Sequence, residues 1–268
     1  MDWQKQIEVL SPLFNRGAFQ NSPEIRVPSI RGMVRWWFRK LGGTAEEEKS
    51  VFGGMKNFAP RVDGVRASQL TFRVSDIQAK KSPQDKPTLP HKHGGQSSPK
   101  AAFEPGATFT LEVFSRFGSL DSQLETKARN ALEVWLLLGS LGLRANRGGG
   151  SLWPKENALT TPEELKSRLA ELKCPWPVYL AGTEVGTDWL SLQKAATDTC
   201  EQPESIFGRA RGGRLSSPLK IKAIRLNGTL RLLITAPTEQ ILQQAQQALR
   251  NKPTPALSKP GTWKKISP

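Results

Sequence analysis

The chain has 268 residues, and its 39 lysines and arginines against 24 aspartates and glutamates give a formal net charge of +15. This length is enough for one large domain or two small ones, and the charge favours a polyanionic partner such as nucleic acid. The longest apolar run, around Trp135 to Leu143, is too short for a bilayer, so we expect no transmembrane helix and no membrane partner. Charges within the first ten residues argue against a secretory signal, which predicts a cytoplasmic protein.

The first half of the sequence alternates strand and helix patterns. Residues 6–14 are strand-like, and after a polar loop Ser29 is placed to cap a helix that keeps Ile30, Val34 and Trp37 on one face. Strands at 68–77 and 108–117 and a long helix at 120–141 complete this half.

A segment with almost no apolar residues lies between those two strands, near 78–104, and we expect it to be a flexible basic insertion. It contains both histidines of the chain, His91 and His93, on either side of Lys92. A histidine pair could cleave RNA by acid–base chemistry, but a mobile loop lacks the support that catalysis needs. We therefore interpret the pair as solvated and assign no catalytic residue.

The second half predicts helices at 162–172 and 188–197 and two strands, 219–226 and 229–236, joined by Asn227-Gly228. A glutamine-rich helix at 238–250 follows. The order strand, helix, strand, strand, helix is that of a ferredoxin-like α+β fold. An internal echo, SVFGG before RASQLTFRV and SIFGR before GRLSSPLKIKAI, suggests a duplication, although two short similarities can arise by chance.

Three basic segments are candidates for contact with phosphates. On the first helix, Arg31, Arg35 and Arg39 recur every four residues, and no acidic residue lies between Ile25 and Thr44. A solvated helical face is the usual explanation for such a stripe, but the missing acids favour phosphate contact.

The second basic segment follows the long helix and is rich in glycine. Glycines let backbone N–H groups approach phosphate oxygens, and arginines add bidentate donors. Its candidate residues are Arg144, Arg147, Gly148, Gly149, Gly150 and Ser151. The segment lacks the Gly-Lys-Ser/Thr ending of a nucleotide-binding P-loop, so the sequence does not indicate nucleotide hydrolysis.

The third basic segment, FGRARGGRLSSPLKIK, contains no acidic residue. Its candidate RNA-binding residues are Arg209, Arg211 and Arg214, and a solubilising entry to the hairpin is an equally good explanation of this segment alone. The two cysteines, Cys174 and Cys200, are not at metal-ligand spacing, so we expect neither a metal nor a cofactor.

Three sequence blocks together resemble a known family. SPLFNRGAFQNSPEIRVPSIRGMVRWWFRKLGG followed by EEEKSVFGG, then LGLRANRGGGSL, and finally IFGRARGGRLSSPL are similar to motifs of the RAMP superfamily of CRISPR proteins. The likeness is greatest to the first subunits of Cmr (type III-B) complexes. The matching residues of the first helix are Arg26, Ser29, Arg31, Gly32, Arg35, Trp37 and Arg39. Those of the glycine-rich segment are Gly139, Gly142, Arg144, Arg147, Gly148, Gly150 and Ser151.

The resemblance implies a ferredoxin-like (RRM-like) RAMP fold, with two tandem units at 1–155 and 156–268. It also implies a subunit at the head of a type III effector ribonucleoprotein, near the 3′ end of the guide. The expected partners are guide (crRNA) and target RNA and other effector subunits, in antiviral defence. The loop before the first helix holds Glu24 where cleaving subunits have an aspartate, which implies no target cleavage.

Three alternatives stay open at this point. A sister head subunit, resembling subunit six of the same complex, shares parts of these motifs. A RAMP endoribonuclease that processes guide RNA is the enzymatic alternative. A basic RNA-binding module outside CRISPR systems is the third.

Overall fold

A computed structural model of the chain describes residues 1–19, 21–55, 65–116, 118, 120–181, 188–198, 203–209, 212–250, 257 and 263–266. The first of its two main sheets has the strand order β4-β7-β1-β8, and every neighbouring pair is antiparallel. The elements up to residue 155 are β1 (Asp2–Val9), α1 (Val27–Lys40), α2 (Ala45–Phe52), β2 (Gly54–Met55), β3 (Val65–Arg66), β4 (Leu70–Gln78), β5 (Lys86–Pro87), β6 (Pro99–Lys100), β7 (Thr108–Ser115), α3 (Ser122–Leu138) and β8 (Leu152–Pro154).

The second main sheet has the order β10-β11-β9-β12, again antiparallel throughout. Its half of the chain contains α4 (Pro162–Glu171), β9 (Val178–Ala181), α5 (Trp189–Thr197), α6 (Glu204–Phe207), β10 (Lys220–Leu226), β11 (Thr229–Thr235), α7 (Glu239–Leu249) and β12 (Trp263–Lys265). In both halves the main elements run strand, helix, strand, strand, helix, strand, and the first strand lies between the third and the fourth. The predicted α+β class is therefore confirmed, and the strand order of each half is the one that a ferredoxin-like unit has.

Residue 155 separates the two sheets along the chain. The last strand of the first sheet, β8, ends at Pro154, and the first strand of the second sheet, β9, begins at Val178. The division into two domains at that residue stays a proposal. No helix within the described ranges has both the length and the apolar character needed to cross a bilayer.

The internal echo corresponds to a repeated structure. α2 and α6 each end in Phe-Gly, and Gly53 and Gly208 have φ values of +71° and +77°. After each turn a serine hydroxyl, of Ser68 or Ser217, donates to the carbonyl two residues further on, at 2.7 Å and 2.9 Å. The same hydroxyls also donate to the carbonyl of the residue before the phenylalanine. The shared pattern supports a duplication of the ferredoxin-like unit.

The start of α1 differs from the prediction. We expected Ser29 to cap the helix, but α1 begins at Val27 with Arg26 as its N-cap, and no side chain caps it. Pro28 occupies the first turn, where its fixed φ suits a helix and its missing N–H leaves no donor unpaired. Ser29 therefore lies inside the first turn, half-buried.

The segment 78–104 is more ordered than its composition predicts. β5 pairs with β6, and Leu13 and Lys81 both form bridges with Phe103. Lys86 forms an ion pair with Glu104 at 3.0 Å and lies over the ring of Trp189 in the second unit. Backbone hydrogen bonds thus order this polar hairpin, although it has too few apolar residues for the sequence to predict a fixed structure.

Candidate nucleic-acid interface

The arginine stripe of α1 is compensated by a carboxylate from the next helix. Arg35 Nε donates to Glu48 Oε1 at 2.7 Å, and Arg39 Nη1 donates to both carboxylate oxygens at 2.8 Å. Glu48 is buried in α2, and although this burial raises the pKa of its carboxyl, the hydrogen bonds from Arg39 and Arg35 and their charges together lower it below its ordinary value. The prediction of an uncompensated stripe is thereby corrected, because α2 supplies the acid that α1 lacks.

Arg31 is tied to the same helix pair. Its Nη2 donates to the Phe52 carbonyl at the end of α2, and burial, then the charge of Arg35, lowers the pKa of its guanidinium. Arg26 donates to the Arg16 carbonyl at 3.2 Å and lies 3.7 Å from the Glu24 carboxylate. These contacts fix α1, its preceding loop and α2 relative to one another.

The glycine-rich segment uses its backbone N–H groups internally. Gly148 N donates to the Ile221 carbonyl at 2.8 Å, and Gly149 N donates to the Arg144 carbonyl at 3.1 Å. Gly150 N donates to the Pro12 carbonyl at 2.9 Å. The predicted role of these amides as a phosphate cradle is corrected, because each donor already has a protein acceptor.

Close packing explains why these positions are glycines. Gly150 has φ +56°, and a Cβ there would lie 1.9 Å from the Leu141 carbonyl oxygen. Ser151, predicted to contact RNA, is fully buried; its hydroxyl donates to the Gly148 carbonyl and accepts from Ala223 N in the second unit at 3.0 Å. The segment therefore joins the two units.

Arg147 is buried where the two units meet, and this corrects its predicted contact with phosphate. Its guanidinium donates to the carbonyls of Asn146, Leu219 and Phe207 and to the hydroxyl of Ser217, at 2.8 to 3.2 Å. Burial, then repulsion from Arg144, lowers its pKa to about 10. Arg147 contacts Phe207 in the second unit as Arg31 contacts Phe52 in the first.

The arginines of the third basic segment differ in their surroundings. Arg209 is paired, since its Nη1 lies 2.9 Å from Glu204 Oε2 and its Nε donates to the Gly213 carbonyl at 3.0 Å. Arg211 lies outside the described residues. Arg214 is exposed and, in the described ranges, forms no ion pair.

Five cations from three segments form what we call the basic cluster. Partial desolvation, then the charge of Arg214, lowers the pKa of Arg144, although its side chain reaches the surface. Burial, then the charge of Arg144, lowers the pKa of Arg147. Burial lowers the pKa of the Lys220 amine to about 8, and the charges of Arg147 and Lys40 lower it by smaller amounts. Across the part of the chain that the structure describes, no carboxylate forms an ion pair with any of them. The members of the basic cluster are Lys40, Arg144, Arg147, Arg214 and Lys220.

A tryptophan lies beneath two of these cations. The amines of Lys220 and Lys40 lie 4.3 Å and 5.4 Å from the centre of the Trp36 ring. Trp176 of the second half packs against the same ring, with centroids 5.6 Å apart. Trp36 is itself half-buried.

The basic cluster has an exposed rim and a buried base. Arg144 and Arg214 are exposed, as is Lys40 at the end of α1, whereas Lys220 and Arg147 are buried. Arg144 has φ +59°, an uncommon backbone conformation, and its carbonyl accepts from two backbone N–H groups, of Arg147 and Gly149. The loop thus holds the Arg144 guanidinium at the surface. Sequence reasoning missed Lys40, because it lies outside the arginine repeat of α1.

The histidines are separate from this cluster. His91 Nδ1 lies 3.0 Å from the Thr197 hydroxyl, which connects the 78–104 hairpin to α5. His93 is exposed. Among the described residues there is no group of three or more histidine, cysteine or acidic side chains placed to hold a metal. Burial raises the pKa of the free Cys174 thiol to about 11, and Cys200 lies outside the described residues.

Comparisons with known proteins agree with this architecture. The family model of the RAMP superfamily matches residues 6–153. The CRISPR system Cmr subunit Cmr1-2 of Pyrococcus furiosus is 29% identical over 176 residues, which cover 54% of this chain and 91% of that protein.

Solved structures also share the fold. The crystal structure of apo Cmr1 from Pyrococcus furiosus superposes with a TM-score of 0.60 at 19% identity, covering 88% of this chain and 87% of that one. A cryo-EM structure of the Type III-B Cmr-beta, bound to cognate target RNA and AMPPnP in the presence of ssDNA, gives a TM-score of 0.53 at 14% identity. That match covers 87% of this chain and 93% of the other.

Proposed function

Because the chain belongs to the RAMP superfamily, we propose that it is a non-catalytic RNA-binding subunit of a type III-B CRISPR effector ribonucleoprotein. In this proposal it lies at the head of the complex, near the 3′ end of the guide, and contacts guide and target RNA in antiviral defence. Its protein partners are the other effector subunits.

The relatives support the assembly part of the proposal. Cmr1-2 is by name a subunit of a CRISPR system. The Cmr-beta assembly, which includes a chain with the same fold, is bound to cognate target RNA. A chain with this sequence likeness and this pair of ferredoxin-like units fits the same kind of assembly.

The observation that carries the RNA-binding part is the basic cluster. Arg144 and Arg214 are exposed, lie close enough to repel each other, and form no ion pair within the described ranges. Placing like charges together without an acid is unfavourable, and a polyanion relieves that repulsion. Phosphates of a single strand, which carry one charge per nucleotide, suit a row of guanidinium and ammonium groups.

The α1 stripe contributes less in this proposal. Glu48 binds both Arg35 and Arg39 and neutralises one of their two charges, so a phosphate would have to compete with a buried carboxylate. We therefore propose that Arg144 and Arg214 make the main phosphate contacts and that Lys40 extends them toward α1.

A binding measurement with matched variants tests this proposal. The double variant Arg144→Ala/Arg214→Ala should bind single-stranded RNA more weakly and lower the salt slope, −d log K/d log [salt], by about 0.7 for each phosphate that the variant no longer binds. Lys155→Ala/Lys166→Ala removes the same net charge from two exposed lysines outside the basic cluster and serves as the control. Equally weakened binding in the two double variants would contradict the proposed site.

Co-purification tests the assembly. A tagged copy of the chain should recover other CRISPR effector subunits and a guide RNA from its native cells. Recovery of RNA without any effector subunit would instead favour a general RNA-binding module.

A further inference from the structure

Lys220 is an unusual member of the basic cluster because it is a buried amine among cations. The residue is 6% exposed, and its Nζ donates to Asn146 Oδ1 at 2.9 Å while lying 4.3 Å from the Trp36 ring centre. One neutral acceptor and one ring face solvate an ammonium far less well than water does. The folded protein therefore penalises the charged form of this amine.

The charged neighbours of Lys220 increase that penalty. Lys40 faces it from α1 and Arg147 faces it from the glycine-rich segment, and both repel an ammonium. Three uncharged groups also lie next to it: Trp36 from α1, Asn146 from the loop, and Thr235, its register partner on β11. Glu204, the acid of the neighbouring segment, is paired with Arg209. No described carboxylate forms an ion pair with Lys220 to offset the repulsion.

An anion at the rim would reverse this balance. A phosphate near Lys40 and Arg144 brings negative charge to the same low-dielectric region, and a buried ammonium gains more from it than an exposed one does. We infer that RNA binding at the basic cluster is accompanied by uptake of a proton at the Lys220 amine. Lys220 is in this view a positioning residue that senses bound phosphate. The inference rests on the proposed RNA-binding function.

Lys220 is the member of the basic cluster suited to this exchange near neutral pH. Its amine has a pKa of about 8 in the free protein, whereas the Arg147 guanidinium has a pKa of about 10 and stays charged. Lys222, two residues on, is fully buried and donates to the Leu136 carbonyl in α3, and no interaction with another cation is among the causes of its lowered pKa. It therefore provides a buried lysine that should not respond to RNA.

Calorimetry measures the proton directly. Oligoadenylate, whose bases do not titrate in this range, is bound at pH 8.0 and fixed ionic strength in two buffers of different ionisation enthalpy. Uptake of about half a proton is expected, because the amine is about half-protonated before binding and fully protonated after it. The affinity should fall by up to about tenfold per pH unit above pH 8.

Two substitutions assign the proton to this residue. Lys220→Arg keeps the charge at all these pH values, so it should retain the affinity and abolish the uptake. Lys220→Met should also abolish the uptake and should bind more weakly at pH 7. Lys222→Met should leave the uptake unchanged. Lys220→Arg preserves the charge and the reach of the side chain. If Lys220→Met does not fold, the proton uptake of Lys220→Arg alone tests the inference.

The outcomes separate the inference from the proposed function. Binding with the same enthalpy in both buffers would overturn the inference and leave RNA binding intact. Uptake that persists in Lys220→Arg would also overturn it. Failure of the unaltered protein to bind oligoadenylate or any mixed-sequence single strand at pH 7 would overturn the proposed function itself.

Discussion

The arginine stripe of α1 and the basic cluster have the same kind of sequence but different surroundings. Arg35 and Arg39 have no acid nearby along the chain, yet both bind Glu48 of α2. Arg144 and Arg214 come from segments 70 residues apart, and the charge of Arg214 acts on Arg144 while neither forms an ion pair within the described residues. The contrast shows that whether an arginine's charge is compensated depends on which carboxylate the fold brings to it, not on local charge density.

Within the basic cluster, substitution of the buried Arg147 should lower the stability of the protein far more than substitution of the exposed Arg144. Arg147→Met should lower the free energy of unfolding by about 2–4 kcal/mol, because it removes the donor of four hydrogen bonds where the two halves meet. The Asn146 carbonyl keeps Ile221 N as a donor, and the Leu219 carbonyl keeps the Ser217 hydroxyl. Arg144→Met should change it by less than about 0.5 kcal/mol. Urea unfolding measures both. A mild Arg147→Met with strongly reduced RNA affinity would restore Arg147 as a phosphate contact.

The glycine-rich segment offers a second large effect. Gly150→Ala should destabilise the fold by about 3 kcal/mol or more, since its Cβ would overlap the Leu141 carbonyl in addition to the strain of a positive φ. Gly228→Ala is the control: φ is +74° there, but the space around it is open, so only the backbone strain of about 1–2 kcal/mol applies. Equal costs at the two positions would show that packing does not explain Gly150.

A smaller change is expected at the buried lysine beside the cluster. Burial holds the pKa of Lys222 well below its ordinary value, so between its native and unfolded pKa values the unfolded chain binds more protons than the native state. The free energy of unfolding should therefore rise with pH toward the unfolded pKa of about 10.4. Lys222→Met should add about 1–3 kcal/mol at pH 7 and flatten that rise, in urea unfolding at pH 7 and pH 9.5. A destabilised variant would mean that the bond to the Leu136 carbonyl is worth more than the burial costs.

Periodicity and turn chemistry predicted much of the fold. The apolar face of α1 and the Asn227-Gly228 hairpin come from local rules, and the resulting order indicated a ferredoxin-like unit. The strands β9 and β12 were missed, because they have only four and three residues and no clear alternation. Whether such a short segment forms a strand depends on the sheet with which it pairs.

The site was harder to predict because its contacts are long-range. Glu48 follows Arg35 by 13 residues and reaches it only through the turn between α1 and α2. Arg147 meets acceptors 60 to 72 residues away, so no local signal separates it from the exposed Arg144. The basic segments could be found from composition. Their division into paired, buried and exposed members required the tertiary structure.

Salt dependence of RNA binding tests the contrast between the two regions most directly. Single-stranded RNA is titrated at several salt concentrations against the unaltered protein, Arg144→Ala/Arg214→Ala and Arg35→Ala/Arg39→Ala. We predict that the cluster variant lowers the salt slope by about 1.4, for two phosphates at about 0.7 each, while the stripe variant changes it by less than about 0.7. A larger decrease of the slope in the stripe variant would contradict the assignment of the main phosphate contacts to the basic cluster.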